Sequence, residues 1–115
     1  MLLTIACSLE PIWKARSQLD KVRWFISGPM TGYVGYNRDA FFKAEEFLKQ
    51  EDCFVYNPAR LNWDNGAPAD YMMVALPMLL TCTDLYILKG SEDSCGATIE
   101  RLLAIYCGLV ITWEQ

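Results

Sequence analysis

The feature that most constrains the fold of this chain is a regular alternation between short apolar runs and longer segments with helical periodicity. Runs in which nearly every residue is apolar are typical of strands buried on both faces, as in parallel sheets. The first run stops at Gly28-Pro29 and the second at Asn57-Pro58, and both dipeptides are turn formers. We therefore predict four buried strands, at Val22–Ser27, Cys53–Tyr56, Leu85–Leu88 and Leu109–Trp113.

Three helices are predicted between these strands. Asn37 is the expected N-cap of the first helix. The second covers Ala69–Thr81 and contains Pro77, which removes a helical hydrogen bond, so a kink or an early end is expected there. The third covers Gly96–Cys107 and is capped by Gly108. The side chains expected to face inward are Phe41, Ala44, Glu45 and Leu48 on the first helix, flanked by Phe42 and Phe47, and Ile99, Leu102, Leu103 and Tyr106 on the third.

The order of these elements predicts the fold class and the domain organisation. Strands that alternate with helices form a parallel sheet with right-handed crossovers. We expect an α/β fold with a doubly wound, flavodoxin- or Rossmann-like parallel sheet of four or five strands flanked by helices. A chain of 115 residues has room for one such domain, which we assign to residues 22–115. Residues 1–21 form an N-terminal extension whose pattern after Pro11 predicts a short amphipathic helix.

The composition excludes several classes of function. The chain has no histidine, which removes Ser-His-Asp and Cys-His catalysis and every histidine-containing metal site. Its five cysteines are odd in number and lack CxxC spacing, so we expect thiols in a reducing cytoplasm. A net charge of −4 without a cluster of Lys or Arg argues against nucleic acid or a membrane as the partner. We expect neither a metal nor another cofactor.

The loop after the first strand is a candidate ligand-binding segment, because doubly wound sheets bind ligands at the carboxyl ends of their strands. Its glycines and small hydroxyl residues let the backbone approach a ligand closely and point N–H groups at an anion. An ordinary Gly-Pro turn accounts for the same residues. The candidate binding residues here are Ser27, Gly28, Pro29, Met30, Gly32, Tyr33 and Asn37.

The loop after the third strand brings a carboxylate into the same region. Ser94 or Asp93 can cap the third helix, so that the N–H groups of its first turn face the site. Glu100 lies about one turn inside the helix. A carboxylate there can attack the anomeric carbon of a sugar or stabilise an oxocarbenium-like centre. A glutamate that merely complements the helix dipole would have the same placement.

Several phrases of the sequence resemble one family. Over residues 22–113 the chain resembles the DUF4406 branch of the nucleoside 2-deoxyribosyltransferase-like superfamily. This superfamily includes 2′-deoxynucleoside 5′-monophosphate N-hydrolases, and the branch is frequent in phages and prophages. The phrases that carry the resemblance are Ile26-Ser-Gly-Pro-Met-Thr-Gly32, Asn57-Pro-Ala59, Asp70-Tyr-Met72, Gly96-Ala97…Glu100 and Leu109-Val-Ile111.

The resemblance implies a role for individual residues. Glu100 matches the nucleophilic glutamate of these enzymes. Ser94 falls where enzymes that act on monophosphates have a serine, and a hydroxyl there suits a 5′-phosphate better than a carboxylate would. The resemblance also implies a homodimer or a higher homo-oligomer. Further residues that it places around the substrate are Ser27, Gly28, Gly32 and Gly96, with Tyr33, Tyr36 and Trp63 as candidates to stack on a base.

The chain departs from the family pattern at two positions. Thr83 stands where an aspartate is expected, and a shift of one residue would let Asp84 replace it. Ala75 stands where many relatives carry a catalytic aspartate that assists departure of the base, and Asp70 is the candidate to replace it. Cleavage of an N-glycosidic bond needs a carboxylate at carbon 1′ and a donor for the leaving base.

Three functions follow from these observations. The first is hydrolysis or transfer at the N-glycosidic bond of a nucleoside 5′-monophosphate, with Glu100 as nucleophile. The second is a catalytically degenerate protein that senses or sequesters a nucleotide. The third is a structural or interaction protein that reuses the fold. The fold alone does not establish which of them applies.

Overall fold

The structure, a computed structural model, describes residues 21–50, 52–61 and 68–115, apart from the side chains of residues 68 and 69. The predicted amphipathic helix of the N-terminal extension and the predicted site residue Trp63 lie outside the described residues.

Four parallel strands form one sheet, which confirms the predicted fold class. The sheet has the order β2-β1-β3-β4, and each pair of neighbours runs parallel. In β1, Phe25 is opposite Tyr56 of β2 and Leu85 of β3, so the three strands are in register at this level. The strands are β1 (Arg23–Ser27), β2 (Phe54–Tyr56), β3 (Asp84–Ile87) and β4 (Val110–Trp113).

Helices cover both faces of the sheet. Because successive side chains of a strand point to opposite faces, Phe25 and Ile26 enter two different hydrophobic clusters. The cluster around Ile26 contains residues of α1, and the cluster around Phe25 contains residues of α2 and α3. The helices are α1 (Arg38–Leu48), α2 (Pro68–Leu79) and α3 (Cys95–Tyr106), none of which is long and apolar enough to cross a membrane among the residues described.

The connections reverse direction beside β1, which is where folds of this class bind their ligands. The chain passes from β1 to β2 on one side, then crosses back to β3 on the other side. A doubly wound sheet opens a crevice at such a reversal, outside the carboxyl ends of the two central strands. The loops that follow β1 and β3 border this crevice.

The first helix buries the four side chains expected to face inward, but the flanking Phe47 is 58% exposed and the cap differs from the expected one. Asn37 does occupy the N-cap position, but its backbone is left-handed, with φ of 61°, and its side chain makes no cap bond. Its Nδ2 instead donates to the carbonyl of Pro29 at 2.9 Å, because the left-handed backbone turns the side chain toward the preceding loop. Glu45, on the buried face, is paired with Arg60 and Lys49, which hold its pKa below the ordinary value.

The third helix turns a different face inward from the one we expected. Its buried residues are Ala97, Glu100 and Ala104. Leu103 is half-buried and packs on the core, but three of the side chains expected to face inward are exposed. Small side chains at positions 97 and 104 let the helix backbone approach the sheet, whereas the bulkier residues remain outside. The exposed residues are Ile99 at 44%, Leu102 at 58% and Tyr106 at 90%.

The second helix ends soon after Pro77, at Leu79 and before the predicted Thr81. This agrees with the early end expected from proline.

We predict that Gly28→Ala destabilises the fold by overpacking. A Cβ at Gly28 would lie 2.7 Å from Leu88 Cδ1 and 2.9 Å from Leu88 Cβ. Leu88 is 1% exposed and has no room to move, so the free energy of unfolding should fall by about 1–3 kcal/mol. Gly96→Ala is the matched control, because its Cβ would make an ordinary 3.7 Å contact with Met72 Sδ. Chemical denaturation of both variants measures the effect, and equal stabilities would contradict the prediction.

Candidate functional site

The carboxyl group of Glu100 lies at the carboxyl end of β1, buried between the sheet and the helices. The side chain is 2% exposed because α3 turns this position toward the sheet. Ser27, the last residue of β1, donates its hydroxyl to Glu100 Oε1 at 2.7 Å. Tyr71, in the first turns of α2, donates its phenol to Oε2 at 3.3 Å. This one carboxyl group thus links β1, α2 and α3, which are far apart in the sequence.

Burial sets the protonation state of this carboxyl group. It raises the pKa of Glu100 to about 7, since a buried carboxylate loses its hydration, and the hydrogen bonds from Ser27 and Tyr71 partly oppose the rise. The pKa of Tyr71 is raised above its ordinary value by burial and by the neighbouring Glu100. Tyr71 is therefore a neutral donor over the whole physiological range. Glu100 itself exchanges between acid and carboxylate near neutral pH.

A second tyrosine adjoins the same carboxyl group. Tyr56 ends β2, and its ring stacks on that of Phe25 with centroids 5.2 Å apart. Burial raises the pKa of Tyr56, and the charge of Glu100 raises it further. Its hydroxyl oxygen is buried and has no hydrogen-bond partner within the described part of the chain.

Sequence reasoning missed both tyrosines as site residues. Tyr71 was read only as part of a family phrase, yet it lies four residues before Ala75 and hence on the same face of α2. Tyr56 was read as the end of a strand. The signal that could have found them is their position: both stand where an element reaches the carboxyl edge of the sheet.

The start of α3 has the predicted cap. Ser94 Oγ accepts the backbone N–H of Ala97 at 3.2 Å, and the Ser94 carbonyl accepts the Thr98 hydroxyl at 2.8 Å. Gly96 follows in the first turn and faces Met72 of α2. The N-terminal turn of this helix therefore adjoins the helix that carries Tyr71, on the same side of the sheet as Glu100.

The loop after β1 contacts the loop after β3. Gly28 packs on Leu88. A Cβ added to Gly90 would lie only 2.6 Å from the Tyr33 hydroxyl oxygen, so only glycine fits beside this tyrosine. Gly90 has a φ of 88°, which glycine adopts without strain. Gly32 is also left-handed, with φ of 86°. These contacts hold the two loops together at the edge of the sheet where ligands are expected.

A groove lies beside this loop, toward β2. Its empty volume is about 270 Å³, part of it open to solvent. Tyr36, whose backbone is left-handed, lines this groove. The Cζ atom of Arg38 lies over the Tyr36 ring, 5.6 Å from its centroid. The lining residues are Met30, Tyr36, Arg38, Pro58, Ala59 and Leu61.

Two carboxylates proposed from the sequence are not brought to Glu100. Asp84 begins β3 and pairs in register with Trp24, whereas Ser27 pairs with Ile87 at the other end. Three residues of strand separate these levels, about 10 Å. Asp84 accepts a hydrogen bond from Thr83 there, at 2.7 Å. Asp70 is exposed in the first turn of α2, and it is the next residue, Tyr71, that reaches Glu100.

Ala75 lies in the hydrophobic cluster of α2 and α3 and is fully buried. An aspartate at this position would face the apolar core one helical turn below Tyr71. The structure thus offers a phenol from α2 at Glu100 rather than a carboxyl group from position 75.

We predict that Glu100 makes the protein less stable as the pH rises. Its pKa is higher in the folded state than the ordinary 4.5, so the unfolded state loses its proton first. The stabilisation is complete below the unfolded pKa and is lost as the pH rises to about 7. Relative to Glu100→Gln, the free energy of unfolding should fall by about 2–3 kcal/mol between pH 5 and pH 8.

Glu45→Gln is the matched control for this measurement, because Glu45 is a second buried glutamate whose pKa is lowered instead. Its stabilisation is present above the unfolded pKa and is lost only on acidification. Between pH 5 and pH 8 the difference between wild type and Glu45→Gln should stay nearly constant. If the free energy of unfolding changes with pH in the same way for the wild type and Glu100→Gln, burial does not raise the pKa of Glu100 and the prediction is wrong.

Comparison with known proteins places these features in a family. No curated protein matches the chain. The model of one family, described as a domain of unknown function (DUF4406), matches residues 22–113. The match covers the four strands and three helices of the described residues, together with Ser27, Tyr71 and Glu100. The chain therefore belongs to the DUF4406 family.

Proposed function

We propose that this protein cleaves the N-glycosidic bond of a nucleoside 5′-monophosphate, as a hydrolase or a deoxyribosyltransferase-like enzyme, with Glu100 as nucleophile. The observation that carries the proposal is the buried Glu100 carboxyl group, which lies at the carboxyl end of β1 and has a pKa of about 7. Buried carboxyls with shifted pKa values, placed where a fold binds its ligands, are typical of functional sites.

The proposed reaction uses the ionised form of the Glu100 carboxyl group. In its ionised form, a Glu100 oxygen forms a bond to carbon 1′ while the bond from carbon 1′ to the base nitrogen breaks. The base leaves with the electron pair of that bond and takes up a proton from solvent. Water then attacks carbon 1′ of the glycosyl ester and restores Glu100, or a second base does so in a transfer reaction.

The start of α3 supports a monophosphate as the substrate. The Ser94 Oγ accepts a bond from the helix, so its hydroxyl hydrogen is directed elsewhere. The helix N-terminus favours an anion, and a serine at this position lacks the charge that would repel one. The phosphate would lie at Ser94 and Gly96, with the sugar between this turn and Glu100.

A nucleotide-binding protein without turnover is the second candidate. Two observations favour it: Ala75 supplies no acid to the leaving base, and the Glu100 side chain is 2% exposed. A substrate would reach this carboxyl group only after neighbouring side chains move.

The cytoplasm remains the proposed location, because an odd number of cysteines suits a reducing compartment.

We predict release of a free base from a nucleoside 5′-monophosphate. The purified protein is incubated with deoxy- and ribonucleosides and their 5′-monophosphates, and the base is detected by chromatography. Glu100→Gln should lower the rate by at least about a thousand-fold, since it removes the nucleophile. Asp84→Asn is the matched control and should retain activity, because Asp84 lies at the opposite end of β3.

The same panel separates the three functions. No release from any compound, together with ligands that raise the melting temperature, would leave a nucleotide-binding protein. Neither release nor a thermal shift would leave an interaction protein that reuses the fold.

The outer face of α3 supports a homo-oligomer. It carries the exposed apolar side chains already described, at positions 99, 102 and 106, and Ile105, which is 56% exposed, and the half-buried Arg101 borders them with its guanidinium over the Trp113 ring. Contiguous apolar surface of this kind marks protein interfaces. The neighbouring edge strand β4 adds two partly exposed residues, Val110 at 60% and Trp113 at 42%. A second copy of the chain is the partner that the family resemblance implies.

We predict that Leu102→Lys converts an oligomer into a monomer, because a buried lysine in an apolar interface costs more than the interface gains. Phe47→Lys is the matched control: it has the same exposed fraction of 58% but lies on α1, across the sheet. Light scattering during size-exclusion chromatography gives the molar mass. A monomeric wild type, or dissociation by both variants, would contradict the α3 interface.

A further inference from the structure

We propose that Tyr71 is a positioning residue for Glu100, whose hydroxyl fixes one oxygen of the carboxyl group while Ser27 fixes the other. The inference rests on the proposed function in so far as it gives the carboxyl group a purpose, and it adds a residue that neither the family match nor the sequence analysis assigns to the site.

The geometry gives each carboxyl oxygen one donor from a different element. Ser27, at the end of β1, is fully buried and contacts Oε1 at 2.7 Å. Tyr71, from α2, contacts Oε2 at 3.3 Å. Two donors from two different elements restrict rotation of the carboxyl group, as a reacting group requires. A carboxylate has about four lone-pair sites, so two remain for a substrate.

Tyr71 acts on the carboxylate form. A hydrogen bond that is donated to an ionised carboxylate favours that form, and burial opposes it. Removal of the Tyr71 hydroxyl leaves the burial of Glu100 in place and takes away one of the two groups that lower its pKa. Tyr71 is therefore expected to keep a fraction of Glu100 ionised, and hence nucleophilic, at neutral pH.

Few groups of the described residues face Glu100, which makes the effect measurable. The titratable ones among them are the phenols of Tyr71 from α2 and Tyr56 from β2. Cys82, just before β3, interacts with Tyr56. On α3 itself, the neighbouring Arg101 lies over the Trp113 ring at 5.5 Å. The hydrogen bonds described for Glu100 thus come from two neutral hydroxyls and from no cation.

Tyr71 is a poor candidate for the acid that protonates the leaving base. Burial and the Glu100 charge raise its pKa, so it gives up its proton less readily than a phenol in water. Positioning and proton transfer also predict different pH profiles.

The test compares Tyr71→Phe with Tyr56→Phe. Both variants remove one buried hydroxyl beside Glu100, but the Tyr56 hydroxyl makes no hydrogen bond within the described residues. The pKa of Glu100 is followed by NMR of protein that carries ¹³C-carboxyl glutamate, with the signal assigned from Glu100→Gln. Tyr71→Phe should raise this pKa by about one unit, the scale of a lost hydrogen bond to a charge. Tyr56→Phe should raise it less.

An unchanged pKa in Tyr71→Phe, or equal shifts in both variants, would overturn the inference. If Tyr71→Phe fails to fold, the ¹³Cζ signal of Tyr71 in the unaltered protein replaces it. That signal should titrate with the same midpoint as the Glu100 carboxyl group and with a larger amplitude than the signal of Tyr56. A Tyr71 signal that does not follow Glu100 would overturn the inference equally.

Turnover gives an independent readout. If the protein releases base, Tyr71→Phe should shift the acidic limb of kcat/KM to higher pH by the same amount as the pKa, and it should also lower the alkaline plateau, because Ser27 alone then orients the carboxylate. If the protein releases no base, the proposed reaction fails, while the NMR titration still decides whether Tyr71 positions the carboxyl group.

Discussion

The buried Glu100 carboxyl group is the interaction on which the arrangement of this site depends. It accepts hydroxyls from β1 and α2 while it is itself carried by α3, so it fixes the spacing of three elements around one point. That point lies at the carboxyl end of β1, beside the position where the strand order reverses. The glycines at positions 28 and 90 then let the adjoining loops close over this edge.

The two buried glutamates of the described chain show what distinguishes this carboxyl group from a structural one. Glu45 is 3% exposed and is held by the cations of Arg60 and Lys49, so its pKa is lowered and it stays ionised. Glu100 has a similarly small exposed fraction but lies deeper in the protein and receives only two neutral hydroxyls, so loss of hydration raises its pKa to about 7. A fold that needed only an anchor would be served by the first arrangement. The second keeps a carboxyl group in exchange between acid and carboxylate near neutral pH, at the expense of stability.

The fold could be predicted from the sequence because every level of the pattern agreed. Apolar runs, turn formers and helix caps all indicated a doubly wound sheet, and the four strands lie within one residue of their expected limits. The orientation of α3 could not be predicted, because two faces of this helix are apolar. Hydrophobic periodicity favoured the face with Ile99 and Leu102, but the face that packs against the sheet is the one with Ala97 and Ala104.

The same limit explains how much of the site could be predicted. Glu100, Ser27 and Ser94 could be proposed from the sequence because each stands in a motif next to a strand end or a helix start. Tyr71 was not, since its role depends on α2 crossing from β2 to β3 on the face that α3 also covers. Contacts between elements that are distant in sequence leave no local pattern. A carboxylate was expected from α2, at Asp70, and the adjacent phenol of Tyr71 reaches the site because a helix turns each successive residue by about 100°.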